Sequence, residues 1–258
     1  MHIDYDIQPL HLKKALLYFG IPALGVALVV YLVMPAVAAV GIPILFNYLI
    51  VYATVPMLLL ITAAIIAYRR EGHPMSWRAF KIRFRLRRMK RVDWLWAIGL
   101  TLFMFLTAGL LSFTSRWLAS FKYLVPPVYW PAELKPGPPA AQVPSEFMGY
   151  PLAGNWWIFA LLLVSLAVAT IGEELWWRGY ILPRQELAHG QGTWFVHGVL
   201  WCLFHLFAPW NVLSILPGCL ALSFVAQRLK NTWPAIIAHG LANGLLVLIV
   251  VVAGILGA

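Results

Sequence analysis

The sequence predicts an all-α protein, a multi-pass transmembrane helical bundle of about seven helices, six to eight by the count of bilayer-length runs. Three observations predict it. The chain of 258 residues is 62% hydrophobic and only 11% charged, whereas a water-soluble domain carries about 25% charged residues. Its mean hydropathy is +0.81, and its polar residues are too few and too clustered to coat a soluble domain. Inside hydrocarbon only helices and closed barrels satisfy their backbone groups, and the apolar runs here have helix length. The net charge of +10 does not mark a nucleic-acid binder, because ten of the nineteen Lys and Arg fall between Arg69 and Arg91. The two cysteines, Cys202 and Cys219, stand in apolar stretches and supply neither a disulfide framework nor a thiolate metal cluster. Soluble enzymes and nucleic-acid partners are thereby excluded.

Taken in order, the spans are expected at 16–39, 43–67, 94–114, 155–176, 193–208, 211–227 and 234–256. Pro35, Gly41 and Pro43 should break the first long run into two helices, and Pro209 should part the fifth span from the sixth, since proline removes a donor and clashes with the preceding turn. The first span is read as an anchor: its apolar run exceeds the 7 to 15 residues of a usual signal h-region. Lys and Arg accumulate in cytoplasmic loops, so a basic loop over 68–93 is placed inside. Lys13 and Lys14, Arg178 and Arg184, and Arg228 and Lys230 then also fall inside. A Pro-rich loop over 116–154, with Pro126, Pro127, Pro131, Pro136, Pro138 and Pro139, falls outside and is expected to be extended. The protein is thus expected in the cell membrane, N-terminus cytoplasmic and C-terminus external. Met75 to Arg91 alternates cations with Trp77, Phe80, Ile82 and Phe84, a pattern suited to lying on anionic lipid headgroups. Trp94 and Trp96 read as interfacial anchors.

Ionisable groups inside apolar spans are expensive, on the order of 2.5 to 3.5 kcal/mol each at a helix centre. Those here are Glu173, Glu174 and Arg178 in the fourth span, His197 and His205 in the fifth, and His239 with Asn243 in the seventh. Glu174 and Arg178 are four apart and stack as an ion pair; Glu173, turned about 100° away, is left unpaired by its own helix. Trp201 and His205 share one face, as do His239 and Asn243. A Glu beside a His can polarise a water for attack on a carbonyl, and a second His with an Asn can hold the oxyanion that forms. That is equipment for peptide hydrolysis. There is no G-x-S-x-G, Ser165 stands alone, and Cys202 lacks a cationic neighbour. His189 and His197 are expected to be satisfied by backbone carbonyls or interfacial water.

Glu173 to Arg178 fits E-E-x-x-x-R, Trp201 to His205 fits aromatic-x-x-x-H, and His239 to Asn243 fits H-x-x-x-N. In this order on successive membrane helices they resemble the CPBP or Abi family, which includes the type II CAAX prenyl endopeptidases and bacteriocin-processing proteins. The resemblance covers about residues 155–250 and divides the chain into N-terminal membrane helices, 1–154, and a catalytic core, 155–258. It implies a glutamate-type intramembrane endopeptidase without a cofactor. In it Glu173 and His205 activate water, His239 and Asn243 form the oxyanion site, and Glu174, Arg178 and Trp201 support them. Trp201 stands where many relatives carry Phe, a conservative exchange. The implied partners are the bilayer and a membrane-associated protein or peptide, prenylated or exported.

Three alternatives stand beside this reading. Zinc held by Glu173, His205 and His239 would suit a hydrolase with an open ligand position, although no H-E-x-x-H is present. A non-catalytic immunity or scaffolding protein would keep the polar cluster for helix packing. A proton-coupled transporter would use Glu and His as a relay, but no inverted repeat is visible. The hydrolytic reading carries a geometric condition. If every span crossed fully, His205, about 18 Å of rise from Thr193, would sit far from Glu173. The turn at Phe207 to Asn211 must therefore be buried or its helices strongly tilted, and the cavity is expected to open toward the cytoplasmic half.

Overall fold

A computed structural model describes residues 7–137 and 142–257; Pro138 and Pro139 lie outside the described residues. Helix α1, Leu12–Ala39, and helix α2, Ile44–Arg70, are parted at Gly41, whose φ of +84° favours glycine. Gly41 and Pro43 make the expected break. Pro35 does not: it sits in the first turn of Met34–Ala39, just after a π-helical turn at Val29–Val33 that has already shifted the bonding register. The basic segment forms a short helix α3, Trp77–Arg83, whose N-cap Ser76 accepts from the Ala79 amide at 3.2 Å. Helices α4, Arg91–Leu110, and α5, Ser112–Ala119, follow. Strands β1, Glu146–Phe147, and β2, Tyr150–Pro151, make a small antiparallel hairpin whose two turn residues, Met148 and Gly149, both have positive φ.

Helix α6, Trp156–Glu174, runs on through a π-helical turn, Leu175–Ile181, into α7, Leu182–His189. Gly190 (φ +61°) ends it. Helix α8, Thr193–Phe204, then two 3-10 turns, His205–Phe207 and Pro209–Asn211, lead into α9, Val212–Leu229, and α10, Trp233–Leu256. Among the described residues six helical stretches are long and apolar enough to cross a membrane. One of them, Trp156–Phe207, has 52 residues and doubles back at Gly190. Thr193 Oγ1 donates to the Gln185 carbonyl at 3.3 Å and His197 Nδ1 lies 2.6 Å from Gln185 Oε1, so its two halves run antiparallel. Six lies within the expected six to eight, the fifth expected span being the short returning leg of this stretch.

Two glycines let the legs approach. A Cβ at Gly172 would lie 2.6 Å from the Met57 carbonyl oxygen, and one at Gly198 would lie 2.9 Å from Leu220 Cα. Gly172 therefore seats α6 against α2, and Gly198 seats α8 against α9.

Both long loops pack more closely than the sequence suggests. In the basic segment Ala79, Arg83, Phe84 and Leu86 are buried, and the Arg83 guanidinium bonds Glu71 at 2.6 and 2.9 Å and the Gly179 carbonyl at 3.2 Å. Arg85 forks onto Glu186 at 2.7 and 2.9 Å. Trp77, Arg78, Arg88 and Lys90 remain exposed. The Pro-rich loop is not simply extended either. Trp130, Phe147, Met148 and Leu152 are buried, and Trp130 meets Tyr48, Tyr52 and Trp210 edge-on with ring centroids 5.1 to 5.5 Å apart. Their apolar area outweighs the loop's turn-forming prolines.

Candidate functional site

The site begins where α6 passes into its π-helical turn. Such turns displace the residues that follow by an extra position and recur at functional sites. Glu174 and Arg178 still form the expected pair, with Arg178 Nη1 donating to Glu174 Oε1 at 2.9 Å and both side chains fully buried. Arg178 is therefore no loop cation. The same carboxylate oxygen accepts from His239 Nδ1 at 2.9 Å, across 65 residues of sequence. Glu174 thus ties α10 to α6 and sets the His239 ring, leaving Nε2 as the nitrogen free for other partners.

Glu173 points to a different set of groups. Trp201 Nε1 donates to Glu173 Oε2 at 2.8 Å, and the Arg178 guanidinium carbon lies 3.6 Å over the Trp201 ring. The exchange of Phe for Trp is accordingly not neutral here, since a phenyl ring has no donor. His205 Nδ1 lies 2.8 Å from the Trp201 carbonyl oxygen. A carbonyl only accepts, so Nδ1 carries the hydrogen, and Nε2 of the neutral ring keeps its lone pair. That lone-pair nitrogen is 3.9 Å from Glu173 Oε2. The distance is too long for a hydrogen bond, but the two side chains are brought together, as the geometric condition of the hydrolytic reading requires. It is met because the 3-10 turns after Phe204 shorten the α8 leg, so the turn at Phe207, Ala208 and Trp210 lies buried in the bundle.

A cavity of about 480 Å³ receives Glu173, Trp201, His205, His239 and Asn243 together. Asn243, one turn beyond His239, is exposed. The rest of the wall comes from residues that no motif marks, among them Tyr48, Tyr52 and Met57 of α2, Met104 of α4, and Trp130 and Met148 of the Pro-rich loop. Tyr48 and Tyr52 belong to a π-helical stretch, Asn47–Thr54, which turns them inward. These α2 and α4 residues lie in the halves nearer the Pro-rich loop. The cavity thus occupies the half of the bundle facing that loop, opposite the basic segment, and not the half expected. The loop forms its roof.

Other polar residues are engaged elsewhere. His197 finds the Gln185 side chain rather than a backbone carbonyl. Ser165 accepts from Thr54 Oγ1 at 3.2 Å and lines the cavity wall. Among the described residues no group of three or more His, Cys, Asp and Glu is arranged to hold a metal ion. His239 turns its Nδ1 to Glu174, not Glu173.

Comparison with curated proteins and with solved structures returned no match. Comparison with protein families matched residues 155–245 to the Rce1-like family, described as type II CAAX prenyl endopeptidase Rce1-like. The matched segment begins just before α6 and ends in α10, so it holds every motif residue of the cavity. A protease family on a chain with several membrane-length helices supports a membrane-embedded enzyme. Residues 155–245 of this chain are thus similar to the Rce1-like family, in keeping with the CPBP family that the three motifs resemble.

Proposed function

We propose that the protein is an intramembrane endopeptidase that hydrolyses a peptide bond of a membrane-associated substrate, using water activated between Glu173 and His205. The 3.9 Å separation of Glu173 Oε2 and His205 Nε2 carries this reading. Both atoms are acceptors, and one water placed about 2.8 Å from each can donate a hydrogen to both. Such a water has lone pairs left for a carbonyl carbon. As its oxygen bonds to that carbon, its proton passes to the Glu173 and His205 pair, and the carbonyl becomes an oxyanion. His239, held through Nδ1 by Glu174, turns Nε2 to the oxyanion, which the Asn243 amide also holds. When the carbon–nitrogen bond breaks, the stored proton goes to the leaving amine. Trp201 fixes the Glu173 carboxylate, and Glu174 with Arg178 fixes Trp201 and His239.

The mostly apolar wall suits a lipidated or otherwise hydrophobic peptide, either a prenylated protein or an exported one. In this reading the basic segment faces the cytoplasm, with the N-terminus on the same side and the C-terminus outside. Cleavage of a prenylated peptide by the purified protein tests the reading, with wild type and Glu173→Gln each assayed with and without a strong chelator. Glu173→Gln is expected to lose on the order of 10²- to 10⁴-fold in rate, and wild type to be unaffected by chelator. Cleavage that persists in Glu173→Gln contradicts the proposal, and cleavage that chelator abolishes replaces it with a metal-dependent one.

A further inference from the structure

At the basic end of the bundle, away from the Glu173 cavity, a second cavity of about 700 Å³ lies between α1, α2 and the α6–α7 leg. Arg70, the last residue of α2, and Arg184 of α7 both line it, and neither makes an ion pair among the described residues. Arg184 is held in place all the same. Its Nε donates to the Gln8 carbonyl at 3.1 Å and its Nη1 to the Tyr180 hydroxyl at 2.6 Å, and its guanidinium sits 5.2 and 5.8 Å from the Tyr180 and Tyr18 rings. Glu71 is the acid in the wall. Both its oxygens are already occupied, by Arg83 at 2.6 and 2.9 Å and by His73 at 2.9 Å. Among the described residues the cavity therefore carries positive charge without a counter-ion.

The wall thus offers two guanidinium groups and, among the described residues, no free carboxylate to pair with them, since Glu71 is held by Arg83 and His73. Phosphate-ester oxygens supply what is missing, and arginine binds them through its planar fork. The apolar part of the wall decides between a free phosphate and a lipid. Ala63 and Ile66 line the cavity on the α2 face that ends in Arg70. With Leu59 they follow helical spacing, and Leu59 and Ile66 are 65% and 46% exposed. That face runs from the cations toward the middle of the membrane-length helix, along the path of an acyl chain.

We propose that this cavity binds an anionic phospholipid, its phosphodiester between Arg70 and Arg184 and an acyl chain along Leu59, Ala63 and Ile66. The site is independent of the hydrolytic reading, and its test does not use activity. The intact protein, purified in neutral detergent, is titrated with dioleoyl phosphatidylglycerol, dioleoyl phosphatidylcholine or inorganic phosphate, and binding is read by native mass spectrometry. Phosphatidylglycerol is expected to bind saturably and more tightly than phosphatidylcholine. Arg70→Gln should weaken it about fivefold and Arg70→Gln with Arg184→Gln more strongly, while Arg78→Gln with Arg88→Gln, exposed in the basic segment, should leave it unchanged. The Arg70 side chain is exposed and makes no ion pair or side-chain hydrogen bond among the described residues, so its single variant keeps the test decisive should the double variant fold poorly. Equal binding of the two lipids overturns the proposal. So does equal weakening by the Arg78 and Arg88 pair, which marks diffuse surface attraction, and so does competition by inorganic phosphate at the affinity of the lipid.

Discussion

Trp201 is where the pieces of the site meet: its N–H holds Glu173, its ring carries Arg178, its carbonyl fixes His205, and His239 lies edge-on 5.3 Å away. Trp201→Phe removes the N–H and leaves a smaller ring beneath Arg178. A hydrogen bond to a charged group contributes about 1.5 to 3 kcal/mol, so kcat/KM is expected to fall about ten- to a hundredfold while the melting temperature in detergent changes little. An equal fall in melting temperature would make Trp201 a packing residue. Arg178→Ala acts differently. It leaves the Glu174 carboxylate buried without its cation, and removing one partner of a buried pair costs about 3 to 5 kcal/mol, read as a large loss of melting temperature. The Glu174 and Arg178 pair was legible from sequence because helical spacing alone joins residues four apart. The contacts of His239 with Glu174 and of Trp201 with Glu173 were not, since each joins separate helices and depends on how those helices pack.

At the scale of elements, close approach and stapling carry the geometry. Gly198→Ala places a Cβ 2.9 Å from Leu220 Cα and 3.0 Å from the Cys219 carbonyl oxygen, both backbone atoms that cannot step aside. Overpacking of this kind costs about 1 to 3 kcal/mol, and thermal unfolding in detergent should show the loss; an unchanged melting temperature would mean that α8 and α9 are not in register through Gly198. The basic segment is stapled through Glu71. Burial alone would raise its carboxyl, but the Arg83 hydrogen bonds and charge, with those of His73, outweigh it and hold it below the ordinary value of 4.5. A lowered value means that the native state binds its proton more weakly than the unfolded chain. The contribution is thus complete above about 4.5 and is lost as pH falls through the lowered value. Wild type should exceed Glu71→Gln in melting temperature at neutral pH, and the difference should close on acidification; a difference that persists at low pH would place the effect in packing. Hydropathy and charge made the helices and the basic loop legible. They could not show that the basic loop docks inward, because Arg83 and Phe84 read as a cation and an aromatic on a surface until Glu71 and Gly179 are brought beside them.

Across the whole molecule, the first half of the chain is more than a frame for the second. Tyr48, Tyr52 and Trp130 close the cavity that Glu173 and His205 enter from the matched segment. Sequence placed the catalytic candidates on three helices but put their cavity on the wrong half, because the depth of a buried turn depends on the short α8 leg and on the loop folded over it. Trp130→Ala removes the centre of the aromatic cluster with Tyr48, Tyr52 and Trp210, at a cost of about 3 to 5 kcal/mol for a buried tryptophan. It should lower the melting temperature and raise KM more than it lowers kcat, whereas an unchanged KM would separate the loop from substrate. The central claim is that water, and not the Glu173 carboxylate itself, attacks the scissile carbonyl. The most direct test is a single turnover of a prenylated peptide in ¹⁸O-labelled water, with mass analysis of the new carboxyl terminus. The account predicts that the first product molecule carries ¹⁸O; a first product carrying an unlabelled oxygen taken from the protein would contradict it.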